Sequence, residues 1–323
     1  MQTSIKLPTY LDELIFNKLN AKYEPDYTKF NKNLHLNQNE NLIYLGTYFP
    51  RSYAESYLIF NNLFNNNIIK NTYLDKQEIN ILDIGSGTGG NLSGLLMSII
   101  ENLSDKKNIN ILAIDGNKDA LKILQNIISN IQIKYNLNIS LNCQYISFEN
   151  IDELYQNSKV YFENDYDVIT TSKMINEILP DDNNAYYEFC DYYLPHLSSD
   201  GLLSIVDVTM KINSQFLPII LNKQVNKFIK NNATSYKTII PTSCYINEET
   251  CLQDCFTNNI FYISHTAKQN DMSKTTYRIL ANKEFADNIL DKIETGCIVG
   301  QTQSEKKYCY HTSNKNNITA FRA

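Results

Sequence analysis

Tryptophan is absent from this chain of 323 residues, and positive charge is in deficit. The 29 lysines and arginines are outnumbered by 35 aspartates and glutamates, which gives a formal net charge of -6. A protein that coats nucleic acid through bulk electrostatics needs an excess of basic side chains to displace counterions. The composition therefore argues against that mode of binding, and we expect no DNA partner.

Long apolar runs are also lacking. No segment approaches the roughly 18 uncharged apolar residues that a membrane span requires, and the start MQTSIKLPTYLDELIFNKLN has no apolar core of signal-peptide length. We therefore expect no membrane partner and a cytoplasmic protein. The seven cysteines are an odd number in a chain without an export signal, so thiols or metal ligands are expected rather than a disulfide framework.

The residues that are present suffice for a folded core. Hydrophobic residues make up 43% of the chain and charged residues 20%, which is ordinary for a globular protein and too apolar for a disordered one. At this length one main domain with additions is the simplest expectation, because single cores usually stop growing near this size.

Hydrophobic periodicity changes along the chain and indicates an α/β fold. Apolar residues recur at helical spacing over 9–20 and 50–64, with Pro50 where a first helical turn tolerates it. From Ile79 onward, short apolar strands alternate with amphipathic stretches, which is typical of βαβ units on a parallel sheet. The predicted strands are 79–84, 110–115, 140–147, 166–171 and 201–208. The predicted helices between them are 90–103, 117–135, 150–157 and 183–194.

This alternation breaks after Val208. Residues 209–256 are predicted to be an insertion with a helix and a cysteine-rich loop. Strand-like runs at 259–268 and 275–284 follow, and the short polar connector QNDMSK suits an antiparallel pair. We therefore expect a Rossmann-like α/β fold with a mostly parallel sheet closed by an antiparallel hairpin. The expected parts are a helical N-terminal extension (1–75), the main domain (76–285) and a polar C-terminal tail (286–323).

A glycine-rich loop follows the first of these strands. The run ILDIGSGTGG at 81–90 places Gly85, Ser86 and Gly87 between a predicted strand and a predicted helix. Glycine lets the backbone turn tightly there and lets a ligand lie against main-chain N–H groups. The same run satisfies the pattern G-x-G-x-x-G through Gly85, Gly87 and Gly90, so a nicotinamide or flavin dinucleotide is an alternative ligand.

Two acidic residues favour S-adenosylmethionine over a dinucleotide. Asp83 lies just before the first glycine, where its carboxylate would attract a sulfonium and an ammonium group and repel a pyrophosphate. Asp115, followed by Gly116, ends the next strand and would accept hydrogen bonds from both ribose hydroxyls. The pattern therefore resembles that of class I S-adenosylmethionine-dependent methyltransferases.

Ligands of parallel sheets bind outside the carboxyl ends of the strands, and this geometry identifies further candidates. Phe148 follows the third strand and would flank the adenine. Thr171 and Ser172 end the fourth strand and are further cofactor-binding candidates. Asn176 and Glu177 stand just beyond, where a methyl acceptor would approach, and are the candidate catalytic residues. A helix-capping role for this last pair is equally compatible with the sequence.

Three segments share features with one known family. In YLGTYFPRSYAESYLIF, Arg51 and Tyr53 are similar to an R-x-x-Y-A element before a glycine loop, with one residue fewer between them. YDVITTSKMINEI is similar to a fourth-strand segment that ends in a Glu-Leu pair, and PTSCYINEETCLQDCF is a cysteine cluster. With the glycine loop, they resemble the methyltransferase-like assembly factors of the mitochondrial small ribosomal subunit and their bacterial relatives. The resemblance covers about residues 44–300 and implies that Arg51 and Tyr53 belong to the cofactor site.

In that family such cysteines hold an iron-sulfur cluster. The resemblance therefore implies a [4Fe-4S] cluster, or zinc, at Cys244, Cys251 and Cys255. Cys297 would be the fourth ligand, with Cys309 as its rival. The sequence departs from the family's pattern, because Cys-Tyr-Ile stands where the family has Cys-Pro-His and no proline follows Cys251. Buried or incidental thiols are the alternative.

These patterns lead to one main hypothesis and three alternatives. The main hypothesis is an S-adenosylmethionine-dependent methyltransferase similar to the assembly factors, acting on or alongside ribosomal RNA, with a protein partner to guide so acidic a chain. The second is a small-molecule or peptide N- or O-methyltransferase, in which the helical front and residues 209–256 form a lid. The others are a binding module that keeps the cofactor without turnover, and a dinucleotide oxidoreductase.

The cysteine cluster gives a first testable prediction. The assembly-factor resemblance predicts that protein purified anaerobically carries iron and inorganic sulfide, because clustered thiolates in a reducing compartment retain such a centre. Elemental and sulfide analysis measures both. Colourless, metal-free protein would place the small-molecule or peptide function ahead of the ribosomal one.

Overall fold

The structure is a computed structural model that describes residues 3–26, 36–103, 107–180, 182–212, 215–241, 259–290, 297–301 and 307–311. The described residues fall into two compact units. The first unit lies within Met1–Asn65, Tyr73–Phe148 and Ile260–Ser273, and the second within Asn66–Thr72, Glu149–Asn259 and Lys274–Ala323.

The helices and strands are numbered in chain order. The helices are α1 (Thr9–Asp12, continued by a π-helical turn at Glu13–Lys18), α2 (Gln38–Leu63), α3 (Asn67–Asp75), α4 (Gly90–Asn102), α5 (Lys118–Tyr135), α6 (Ile151–Ser158), α7 (Ile175–Ile178), α8 (Ala185–Tyr193), α9 (Leu217–Asn231) and α10 (Lys283–Leu290). The strands are β1 (Thr3–Lys6), β2 (Glu78–Ile84), β3 (Asn108–Asp115), β4 (Asn138–Tyr145), β5 (Tyr166–Ser172), β6 (Leu197–Val208), β7 (Lys211–Ile212), β8 (Gln215–Phe216), β9 (Tyr236–Ile240), β10 (Asn259–His265), β11 (Lys268–Asn282), β12 (Cys297–Gln301) and β13 (Lys307–His311).

Three parallel strands of the first unit carry the glycine loop. β2 pairs with β3 and β3 with β4, so that Asp83 lies opposite Ala113 and Asp115 opposite Tyr145. α4 and α5 connect these strands and bury their apolar faces. Strand and helix alternate as the periodicity predicts, and the carboxyl ends of the parallel strands meet at one edge. The same unit holds β1, which was not predicted and which pairs in parallel with β10.

The second unit combines parallel and antiparallel pairing. β5 pairs in parallel with β6, β6 pairs antiparallel with β11, and β11 pairs antiparallel with β9. Leu202, Leu203 and Ile205 of β6 are fully buried, so this strand is part of the unit's core. The predicted Rossmann-like α/β fold, mostly parallel and closed by antiparallel strands, is thus confirmed.

Helix α2 begins much earlier than the predicted helix 50–64. Asn37 caps it, because its side chain accepts hydrogen bonds from the N–H groups of Asn39 and Glu40 while the Glu40 carboxylate accepts from the N–H group of Asn37. Pro50, expected in the first turn, lies inside the helix. The first turns of α2 contain many polar residues, so apolar periodicity alone did not predict that they are helical.

The closing hairpin turns earlier than predicted. β10 and β11 are separated by residues 266–267, and the predicted connector QNDMSK lies inside β11. Asp271 and Ser273 are buried on this strand, where they bond to Arg51 and Glu55. Because the buried residues of this part of β11 are polar, its sequence lacks the alternation of apolar and polar residues by which a strand is usually predicted.

The insertion and the tail are more ordered than the sequence suggests. The predicted insertion contains a helix, α9, as expected, and also the strand β9. α10 begins just before the predicted tail and extends into it, and the tail contains the antiparallel pair β12 and β13. Within the described residues, no helix is both long enough and apolar enough to cross a membrane. The domain boundaries given above stay predictions.

Candidate cofactor site

Three left-handed glycines shape the loop between β2 and α4. Gly85, Gly87 and Gly89 have φ angles of 72°, 51° and 88°, a region that residues with a Cβ rarely adopt. The N–H groups of Gly85 and Ser86 donate to the carbonyl oxygen of Ile114 at 2.8 and 3.1 Å, and the N–H group of Gly89 donates to the carbonyl oxygen of Ser86 at 2.9 Å. The loop is therefore folded tightly against the end of β3.

Asp115, the last residue of β3, is held by two backbone N–H groups. Its Oδ2 accepts from Gly87 N–H at 2.7 Å and its Oδ1 accepts from Asn117 N–H at 2.7 Å. The residue is buried, and burial raises its pKa to about 6 although the two hydrogen bonds oppose the shift. Since each carboxylate oxygen has a second lone pair, Asp115 retains the capacity to accept hydrogen bonds from two ribose hydroxyls.

These bonds correct one expectation. The N–H groups of Gly85, Ser86, Gly87 and Gly89 are satisfied within the protein and are not presented to a ligand. A pyrophosphate binds at a helix N-terminus through such N–H groups. These four N–H groups are therefore not available as donors to a ligand.

Asp83, next to the last residue of β2, is buried with one oxygen lacking a partner. Its exposed fraction is 1%. Oδ1 accepts a hydrogen bond from Asn91 Nδ2 at 3.1 Å, whereas Oδ2 has no hydrogen-bond partner among the residues that the structure describes. Burial raises the pKa of Asp83 to about 7; the nearby side chains of Ser86 and Asn91 oppose the shift, and the negative charge of Asp115 adds to it. A buried carboxylate without its full set of donors is costly, so this edge of the sheet suits a cationic ligand.

Two later glycines serve helix packing. A Cβ at Gly90 would lie 2.8 Å from the carbonyl oxygen of Phe49, and a Cβ at Gly94 would lie 2.4 Å from the carbonyl oxygen of Tyr53. The backbone of α2 therefore lies directly on α4. Gly90 completes the G-x-G-x-x-G pattern for this reason, and no dinucleotide is needed to explain it.

Three further predicted cofactor residues lie around the same edge. The Ser86 hydroxyl donates to the carbonyl oxygen of Asp83 at 2.9 Å. Gly116 is buried directly after β3. Phe148 is also buried, and it follows Ile146, whose N–H group donates to the carbonyl oxygen of Asp115 at 3.0 Å. The first unit thus brings the predicted cofactor residues after β2, β3 and β4 together at one edge.

Arg51 and Tyr53, which the resemblance assigns to the cofactor site, have structural partners in the first unit. Arg51 is buried and forms a bidentate ion pair with Asp271, in which the Nε–Oδ2 and Nη2–Oδ1 distances are both 2.8 Å. Tyr53 is buried and its ring stacks on Tyr57, with centroids 5.9 Å apart. These contacts account for both side chains as residues that fix α2, and a cofactor role for them stays a prediction.

The remaining predicted residues lie in the second unit, at and after the end of β5. Thr171 is buried, and its Oγ1 has no hydrogen-bond partner within the described ranges. Ser172 is half-buried at the last position of the strand. Asn176 and Glu177 belong to the short helix α7. Their roles toward cofactor and acceptor stay predictions.

Asp207, which sequence reasoning missed, anchors the turn before α7. It is fully buried on β6 and accepts hydrogen bonds from the Tyr186 hydroxyl at 2.8 Å and from Asn176 N–H at 3.1 Å. With the side-chain amide of Asn176 in the orientation that satisfies both its oxygen and its nitrogen, Nδ2 donates to Asp207 Oδ1 at 2.9 Å and to the carbonyl oxygen of Lys173 at 2.8 Å. Burial raises the pKa of Asp207 to about 7. The signal in the sequence is a lone carboxylate within the apolar run LLSIVDV.

The predicted metal ligands are mostly outside the described residues. Cys244, Cys251 and Cys255 all fall there, whereas the backbones of Cys297 and Cys309 lie on the paired strands β12 and β13. In the part of the chain that the structure describes, no group of three or more His, Cys, Asp or Glu side chains could hold a metal ion. The metal site therefore stays a prediction.

No known protein-family profile matches this chain, and no curated protein matches its sequence. The resemblance to the assembly factors therefore rests on the sequence segments quoted above.

Solved structures of methyltransferases are similar to the chain at low identity. The plantazolicin methyltransferase BpumL, in complex with a pentazolic desmethylPZN analog and SAH, is 15% identical over 84% of this chain and 95% of its own, with a TM-score of 0.41. The plantazolicin methyltransferase BamL, in complex with a triazolic analog and SAH, is 11% identical over 84% and 95%, with a TM-score of 0.40. An O-methyltransferase family protein from Burkholderia thailandensis is 7% identical over 85% and 68%, with a TM-score of 0.39. At these values the similarity carries no argument about function.

Replacing Asp83 by asparagine is expected to stabilise the ligand-free protein at neutral pH. The pKa of about 7 in the folded protein lies above the ordinary value of 3.8. The folded state therefore keeps a proton that the unfolded chain releases, and wild-type stability falls as the pH rises from about 4 to about 7. Thermal unfolding should give a higher Tm for Asp83→Asn than for wild type at pH 7.5, with the difference shrinking toward pH 4.

The matched control is Asp119→Asn on α5, whose side chain is 44% exposed, and we expect little change in its Tm. An Asp83→Asn protein that is less stable than wild type at pH 7.5 would mean that the protein itself supplies a partner for the Asp83 carboxylate.

Proposed function

We propose that this chain is an S-adenosylmethionine-dependent methyltransferase. One observation carries the proposal: the buried Oδ2 of Asp83 has no partner among the described residues, and it lies beside a loop in which four N–H groups are already engaged. A carboxylate in that position favours a cationic ligand. S-Adenosylmethionine combines a nucleoside with a sulfonium and an ammonium group, which meets this requirement.

Different residues around the loop are proposed to bind different parts of this cofactor. Asp83 attracts the cationic methionine part, Asp115 accepts hydrogen bonds from the ribose, and Phe148 packs on the adenine. Gly87 gives the ligand close access to the backbone, and Thr171 and Ser172 are proposed as further cofactor-binding residues. The cofactor, when bound, supplies a methyl group that the positive sulfur already activates. The protein then has to align the acceptor with the donor and exclude water.

A dinucleotide oxidoreductase is the alternative that the glycine pattern left open. A pyrophosphate would face the buried carboxylates of Asp83 and Asp115 and would find four loop N–H groups engaged elsewhere. Like charges in a buried site repel strongly. The electrostatics of the loop therefore support a cationic ligand over NAD or FAD.

The acceptor belongs to one of two classes. The assembly-factor resemblance favours ribosomal RNA, whereas a lidded site would suit a small molecule or a peptide. The net charge of -6 gives no bulk attraction toward RNA, so an RNA acceptor implies a protein partner that guides the enzyme. Asn176 and Glu177 are proposed as the residues nearest the acceptor. Bound iron and sulfide would support the ribosomal class, and a cytoplasmic location is proposed for either.

Isothermal titration calorimetry tests the cofactor proposal. Wild-type protein at pH 7.5 is expected to bind S-adenosylmethionine and S-adenosylhomocysteine, and to show no heat with NAD. Asp83→Ala should weaken binding of S-adenosylmethionine by roughly 10- to 100-fold, because a charge-assisted contact is lost. The matched control Asp119→Ala should bind as wild type does.

Two results would contradict the proposal: no binding of either nucleoside by wild type, or an affinity for S-adenosylmethionine that Asp83→Ala leaves unchanged. Transfer of labelled methyl groups to RNA, peptide or small-molecule fractions then identifies the acceptor class. Tight binding without transfer to any fraction would indicate a binding module instead of an enzyme.

A further inference from the structure

The beginning of α2 is tied to the candidate cofactor site. Asn41 and Asn117 are both buried, and their amides bond to each other, with Asn41 Nδ2 3.4 Å from Asn117 Oδ1 and Asn117 Nδ2 3.1 Å from Asn41 Oδ1. The N–H group of Asn117 also donates to Asp115 Oδ1 at 2.7 Å. Asn117 therefore links the first turn of α2 to Asp115, whose carboxylate is proposed to bind the ribose.

Tyr44, about one turn further along α2, faces the glycine loop. A Cβ built at Gly87 would lie 3.7 Å from Tyr44 Cε1 and 3.8 Å from Tyr44 Oη. Among the described residues that are distant in sequence, Tyr44 alone comes within 4 Å of that position. Its side chain is half-buried. A ligand that lies on the bare backbone of Gly87 therefore meets the Tyr44 ring.

The N-terminal segment holds this part of α2 in place. The N–H group of Lys22 donates to the carbonyl oxygen of Leu42 at 3.0 Å, and the N–H group of Glu24 donates to Thr47 Oγ1 at 3.1 Å. Gly46 permits the contact, because a Cβ there would lie 2.3 Å from the carbonyl oxygen of Lys22. Tyr44 thus belongs to a part of α2 that is held by the N-terminal segment and by Asn117.

We propose that Tyr44 is a donor-contact residue and that the first turns of α2 cover the methyl donor. The inference rests on the proposed function and adds a residue to it. A tyrosine ring stabilises a neighbouring cation through its face and removes water from the surface that it covers. Tyr44 thus contributes to donor affinity by contact, independently of the charge of Asp83.

Calorimetry with S-adenosylmethionine, the proposed methyl donor, is the first test. Tyr44→Ala is expected to weaken binding by about tenfold, while Tyr44→Phe, which keeps the ring, retains most of the affinity. The matched control is Ile133→Ala, because Ile133 is 80% exposed and lies about 22 Å along α5 from the start of that helix. Thermal unfolding of each variant establishes that it is folded.

Fluorescence gives a second readout, because the chain has no tryptophan. Tyr44→Trp places a single tryptophan at the loop, and its emission should change on addition of S-adenosylmethionine with the same midpoint as the calorimetric titration. Ile133→Trp should not respond.

The outcomes separate this inference from the proposed function. Wild-type binding together with an unchanged affinity in Tyr44→Ala and a silent Tyr44→Trp would overturn the role of Tyr44 and leave the methyltransferase proposal standing. Absence of binding in wild type would overturn both.

Discussion

A carboxylate buried without its full set of donors is the constraint on which the candidate site depends. The parallel pairing of β2 and β3 places Asp83 next to the end of its strand, and the loop and α4 bury it. Asn91 satisfies one of its oxygens, and Asp115 adds negative charge nearby. The empty folded protein lowers the cost of this arrangement by holding a proton on Asp83, and a cationic ligand would take the place of that proton. Residues that bind ligands commonly reduce the stability of the empty protein in this way.

The glycines of the loop show how one sequence pattern can arise from different physical causes. Gly85, Gly87 and Gly89 are required by their left-handed backbone. Gly90 and Gly94 are required because α2 approaches α4 too closely for a Cβ. A pattern of glycines therefore does not identify the ligand by itself. The buried carboxylates beside the loop support the proposed cationic nucleoside over a dinucleotide.

The sequence predicted those parts of the fold that local patterns determine. β2, β3 and β5 lie within two residues of their predicted bounds, because each is a short apolar run with polar residues on both sides. Asp83 and Asp115 were predicted because a strand, a loop and a carboxylate stand in a recognisable order. Both lie where that order implies, at the carboxyl ends of neighbouring strands.

Other parts depend on partners that are distant in the sequence, and for that reason local patterns missed them. The start of α2 is polar on its surface and is fixed by the N-terminal segment and by Asn117. The first part of β11 buries the polar residues Asp271 and Ser273, and Asp271 pairs there with Arg51, which is 220 residues away in the sequence. Tyr44 gains its significance only from its position over Gly87. Each of these features is set by tertiary contact and has no local signal.

Proton release on ligand binding is the most direct test of the central claim. Near pH 6.5 the carboxyl of Asp83, with a pKa of about 7, is largely protonated, while the ammonium group of S-adenosylmethionine carries its full charge. Titrations in buffers of different ionisation enthalpy count the protons that leave. We predict the release of roughly 0.8 of a proton from Asp83 at pH 6.5, and clearly less release in Asp83→Asn. Binding without proton release in wild type would contradict the account.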